Sequence, residues 1–259
     1  MSQPLFSIRR VLAVTLLILV GATCVLLGRW QLDRAAERRA TAASIQAGRS
    51  AAALSLNTMT AAAAVTNWTP ATAIGHWRGE YSVLLENRNL EGRPGLWLAT
   101  PLLMADGQAV LVLRGWFARP LGEQQAPLIH TSAELQEISG ELAEHVPRLF
   151  ELWSAHKSSA LLFSDLNANK QKMPDAVDTA QLPRVQNLTL TEISAQTGLT
   201  FLPVVLLQTS DANDGLIRSW PEPSVDADKN VGYAMQWFGF ATICLIALLV
   251  FVWRVRFRR

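Results

Sequence analysis

KNVGYAMQWFGFATICLIALLVFVWR, from Lys229 to Arg254, separates a membrane-spanning chain from a soluble one. From Val231 to Trp253 it runs 23 residues without a charge, and its most polar side chain is Gln236. A helix rises about 1.5 Å per residue, so this run covers about 34 Å and crosses a hydrocarbon core of about 30 Å. A second run, Val11 to Gly28, holds 18 uncharged residues and needs its flanks to span. Both read as transmembrane helices, one near each end of a 259-residue chain that is half hydrophobic.

The first run has a rival reading as a secretory signal, since Arg9 and Arg10 precede an apolar stretch. That stretch is longer than a usual signal core, and no A-x-A-like site closes it. Cys24 has Gly21 three positions before it, where a lipoprotein signal carries a branched apolar residue. An uncleaved anchor is therefore expected. Arg254, Arg256, Arg258 and Arg259 mark the C-terminal tail as cytoplasmic by the positive-inside rule, and two spans place the N-terminus on the same side. Arg29, Arg34, Arg38 and Arg39 at the exit of the first span argue the other way, but long domains translocate largely regardless of charge.

The expected order is a cytoplasmic N-terminus (1–10), transmembrane helix 1 (11–30), a helical extension with an Ala-rich linker (31–70), a β-rich extracytoplasmic domain (71–228), transmembrane helix 2 (229–253) and a basic cytoplasmic tail (254–259). The fold class is membrane α+β, placed in the cell inner (plasma) membrane.

Between the spans the pattern changes. The Ala-, Arg- and Gln-rich stretch from Arg29 contains no Pro and predicts several more helical turns, loosening over Ala51 to Thr66. From Thr72 onward, apolar or alternating runs of strand length are punctuated by Glu91-Gly92, Pro94-Gly95, Asp106-Gly107 and Arg119-Pro120. Leu98 to Met104 and Ala109 to Trp116 predict a β-hairpin around Asp106-Gly107. Ser164 to Val177 reads as a polar loop, TLTEISAQTG as a short helix capped by Thr189 or Thr191, and LTFLPVVLLQ as a last strand.

No enzyme signature appears. His76, His130, His145 and His156 are scattered, and there is no H-E-x-x-H, G-x-S-x-G or glycine-rich phosphate loop. Cys24 and Cys244 lie one in each span, which suits small apolar packing. The net charge of +2, with arginines gathered at membrane edges, excludes nucleic acid as an expected partner and leaves membrane lipid as one.

The informative residues sit at the outer membrane edge. Asn230, Tyr233, Ala234, Trp237, Ala241 and Cys244 recur at helical spacing on one stripe, with Gln236 to one side. Trp30, Gln31 and Arg34 leave the first helix at the same level. An aromatic belt with snorkelling arginines accounts for these residues, and so does a pocket for an amphipathic, carboxylate-bearing ligand; the two readings are compatible.

Gly28-Arg29-Trp30-Gln31-Leu32-Asp33-Arg34 resembles the G-x-W-Q-x-x-R signature that ends the first membrane helix of the Surfeit locus protein 1 family. Gly232-Tyr233-Ala234-Met235-Gln236-Trp237-Phe238 resembles its G-Y-A-x-Q-W-F signature opening the second. Gly75-His76-Trp77, Asn87-Arg88, Pro94-Gly95, Thr100-Pro101-Leu102, Arg114-Gly115-Trp116, Pro203 and Trp220-Pro221 follow family landmarks in order. The resemblance implies an assembly factor for haem-copper cytochrome c oxidase. It would assist haem a insertion into the catalytic subunit, or stabilise that subunit, with the catalytic subunit and haem a synthesis enzymes as partners. It implies haem a as cofactor, handled by Trp30, Gln31, Arg34, Asn230, Tyr233, Gln236 and Trp237.

The sequence departs from the family where the iron ligand is expected, because the family's histidine aligns with Asn230. An amide is a poor ligand for haem iron beside imidazole or thioether. Three resolutions stay open: Met235 as ligand, a ligand supplied by the oxidase, or a scaffold that binds no haem. The rival of another class is a membrane-tethered enzyme with an unrecognised site in the β-rich domain.

Overall fold

The computed structural model describes residues 8–59, 66–120, 127–149 and 176–257. The polar loop from Ser164, His156 and the last two arginines lie outside the described residues, apart from the loop's end at Ala176-Val177. The helices are α1 (Ile8–Arg49), α2 (Leu190–Thr197) and α3 (Asp228–Phe257). The strands are β1 (Leu54–Ser55), β2 (Pro70–Trp77), β3 (Val83–Leu90), β4 (Arg93–Met104), β5 (Gln108–Ala118), β6 (Leu128–His130), β7 (Gln136–Ala143), β8 (Ala176–Asp178), β9 (Arg184–Val185) and β10 (Thr200–Gln208). The chain divides into two units, Met1–Ser44 with Glu222–Arg259, and Ile45–Pro221.

In the first unit α1 and α3 pack antiparallel, and both are long and apolar enough to cross a membrane. Leu17, Gly21, Cys24, Gly28, Gln31 and Ala35 of α1 face inward, as do Asn230, Ala234, Trp237, Ala241, Cys244 and Leu248 of α3. Both sets alternate steps of three and four, the 3.5-residue period that keeps one seam in contact. Small residues let the backbones approach closely, as lipid-embedded helix pairs require. A Cβ added at Gly28 would lie 2.7 Å from the Phe238 ring. Tyr233 breaks the sequence-derived stripe: it is 53% exposed, because the alternation passes from Asn230 directly to Ala234.

The second unit is a closed barrel. Strands β2, β4 and β5 form an antiparallel meander, β10 pairs parallel with β5, β7 pairs antiparallel with β10, and β7 closes against β2. This is a five-stranded Greek-key barrel of the OB kind. β3 and β9 extend the sheet beyond β4, and β1 extends it beyond β2. Val110, Val112, Leu202, Val204 and Leu206 fill the interior with Trp77 and Leu102. Their neighbours Leu111, Leu113, Val205 and Leu207 point outward and are buried under Ile193 and Leu188. Strands covered on both faces read as continuous apolar runs, which explains AVLVL and VVLL.

The predicted hairpin is present and longer than the sequence indicated, with Leu98 opposite Gly115 and Leu103 opposite Ala109. Thr189 caps α2: its hydroxyl accepts from the Glu192 N–H, the Glu192 carboxylate accepts from the Thr189 N–H, and Gly198 ends the helix at φ +71°. Pro94-Gly95 is not a turn. The turn falls on Glu91-Gly92, and Gly95 sits inside β4 because the Trp116 indole occupies the space a side chain would need.

Candidate functional site

At the start of α3 the seam holds one polar contact: Asn230 Nδ2 donates to Gln31 Oε1 at 2.6 Å. Asn230 Oδ1 is buried and receives no hydrogen bond. The pair is bracketed by fully buried small residues, Ala35 on α1 and Ala234 on α3. Just outside it, Arg38 Nη1 donates to the Asp226 carbonyl at 2.6 Å, fastening α1 to the segment that enters α3. The Asp226 carboxylate accepts from the Lys229 N–H and ion-pairs with the Lys229 ammonium at 3.0 Å. The hydrogen bond from Lys229 holds its pKa below the ordinary carboxylate value.

The remaining candidates stand around this amide pair rather than in it. Trp237 is half-buried, with its ring edge-on to Phe240 at 6.0 Å. Trp30 is 54% exposed, Gln236 is exposed, and Arg34 is exposed and paired with Glu37 at 2.6 Å. The structure therefore brings Gln31 and Asn230 together and leaves Trp30, Arg34, Tyr233 and Gln236 on the outer surface of the helix pair. Deeper along the helices, an apolar cleft of about 420 Å³ runs beside Gly21, Ala22, Val25, Ala241 and Leu245. Met235 is 71% exposed.

The amides of Gln31 and Asn230 are poor ligands for haem iron, and the Arg34 guanidinium is paired with Glu37. Among the described residues no three His, Cys, Asp or Glu side chains stand close enough to hold a metal ion. Position 230 carries an amide already committed to Gln31, and Gly28 against Phe238 closes the seam nearby.

The barrel holds polar groups that the sequence did not flag. Arg114 donates to Thr131 Oγ1, the His130 carbonyl and Asp214 Oδ2, while Arg218 donates to both Asp214 oxygens at 2.8 Å. All three side chains are nearly inaccessible. Burial lowers the Arg114 pKa, and Asp214 works against that shift. The only signal in the chain was the Arg114-Gly115-Trp116 landmark. His76, His130 and His145 do not converge; His76 Nδ1 meets the Ala133 carbonyl at 3.1 Å.

The SURF1 family model matches residues 18–242, from within α1, across the barrel and into α3. The chain belongs to the SURF1 family. Membership carries a role in cytochrome c oxidase assembly, as an assembly factor rather than an enzyme, and the two apolar helices fit membrane anchoring. No curated protein matches the chain at a significant level.

Proposed function

We propose that this SURF1-family chain steadies the catalytic subunit of cytochrome c oxidase at the outer membrane interface while haem a is placed, and that the oxidase supplies the iron ligand. The observation carrying this reading is the Gln31–Asn230 amide pair. It occupies the position where the family resemblance expects the iron ligand, in a seam built of small residues. Trp30, Tyr233 and Gln236 are left facing outward, where a partner's helices and a porphyrin edge are reached from the bilayer side. Arg34 stands beside them and supplies a guanidinium suited to carboxylates. Haem a, when present, supplies the redox iron and belongs to the oxidase; this chain's residues orient and exclude. Haem a synthesis enzymes act as donors to the same encounter, and both termini lie in the cytoplasm.

A reduced-minus-oxidised spectrum of the full chain, purified in mild detergent from cells that make haem A, tests this beside Asn230→His. The reading expects no haem in the unmodified protein and haem in the variant. A stoichiometric haem spectrum from the unmodified protein would overturn it and make Met235, or a histidine outside the motif, the next ligand to examine.

A further inference from the structure

Several arginines of the barrel unit lie over aromatic rings, and the set contains its own control. Arg49 lies over Trp68 and ion-pairs with Glu141. Arg78 lies over Tyr81 and pairs with Glu80. Arg114 lies 4.8 Å from the Trp77 ring centroid and pairs with Asp214. Arg93, over Trp116, is exposed and has water. Arg88 alone is both buried, at 4% exposure, and without a carboxylate among the described residues. Its guanidinium sits 4.5 Å from the Trp97 centroid, closer than any of the others, and Trp220 meets Trp97 edge-on at 5.3 Å.

A guanidinium carries five N–H donors. Arg88 uses Nη2 on the Gln186 carbonyl at 2.9 Å; its buried Nε has no acceptor, as in Arg114 and Arg218, so the difference from those two is the missing carboxylate. Burial lowers its pKa to about 10, which still leaves it charged at neutral pH. A buried charge held by one carbonyl and a ring face is costly, and an ionised partner with good hydrogen-bond geometry offsets part of that cost.

We propose that Arg88, on its Trp97 platform, is a docking site for a carboxylate group, completed by a ligand in the way Asp214 completes Arg114. The carboxylate comes either from an acidic side chain of the oxidase or from a free small acid. Its chain neighbours Asn87 and Asn89 are exposed, and the Gln186 carbonyl lies beside the guanidinium. The proposal is independent of the haem reading, because neither arm of its test involves haem.

In the first arm the full chain in detergent is melted in acetate and in chloride at equal ionic strength, as wild type, Arg88→Met and Arg88→Lys. A free acid as source gives a saturable rise of about 2–4 °C in acetate that R88M abolishes and R88K, with a point charge in place of the fork, weakens. In the second arm a photo-crosslinking side chain replaces Gln186, whose carbonyl meets the guanidinium, in cells that make the oxidase. A protein source gives a crosslink to the catalytic subunit that R88M lowers tenfold or more while its Tm stays at or above that of wild type. Either result supports the proposal and names the source. Absence of both the acetate response and an Arg88-dependent crosslink overturns it, and leaves Arg88 as a packing residue.

Discussion

In the helix pair, Asn230 and Gln31 bury two uncharged amides against each other in a seam of Gly, Ala and Cys. In the barrel, Asp214 holds Arg114 and Arg218, so one carboxylate stands between two guanidinia. The settings explain the difference. A charge inside a membrane helix pair is costly, and a hydrogen-bonded amide contributes only about 0.6 kcal/mol on average there. In a barrel wrapped by its own loops, an ion pair fixes a chain segment, here the loop from Asp211 to Arg218 across the end of β5. The helix seam is thus held by shape and the barrel end by charge.

The largest effect is expected from Asp214→Asn, which leaves the buried Arg114 guanidinium without a counter-charge and Arg218 with only the exposed Asp211 at 3.6 Å. It is expected to cost about 3–5 kcal/mol, read as a large fall in Tm or failure to fold. Next comes Gly28→Leu, which forces the helices apart at Phe238. A loss of about 1–3 kcal/mol is expected, seen as earlier separation of the helices in detergent while the barrel's melting is unchanged. Thr189→Ala removes the capping box of α2 and should cost about 1 kcal/mol, lowering Tm by about 2–4 °C.

The smallest effect concerns Asp226. Its folded pKa is depressed, so its contribution is present above the unfolded pKa and lost as pH falls through the folded value. The entry to α3 should loosen only in that acid range, and Asp226→Asn should remove the dependence when amide exchange is followed at Asn230 and Val231.

Helices were legible because their signals are local. Uncharged length marked α1 and α3, and the T-x-x-E pattern at Thr189 with Gly198 marked both ends of α2. The β4–β5 hairpin was legible from Asp106-Gly107. Barrel closure was not, since the parallel pairing of β5 with β10 joins segments about ninety residues apart and leaves no mark beyond an unbroken apolar run. Pro94-Gly95 misled because a glycine making room for an indole looks the same in sequence as a glycine in a turn.

At the candidate site, spacing placed Asn230, Ala234, Trp237, Ala241 and Cys244 on the seam, but could not say that Asn230 would meet Gln31. Nor does anything around Asn87-Arg88-Asn89 announce a buried cation. That burial arises from Trp97 and Gln186, which are distant in the chain.

The proposed role puts function at the helix pair's outer edge and not in a catalytic site of the barrel. It is tested most directly by the haem a content of oxidase purified from cells carrying single variants of this chain. Trp30→Ala and Tyr233→Ala are predicted to lower haem a per oxidase severalfold, while His76→Ala and His130→Ala leave it unchanged. The reverse ordering, with the histidine variants inactive and the aromatic variants near normal, would contradict the claim and place an enzyme in the barrel.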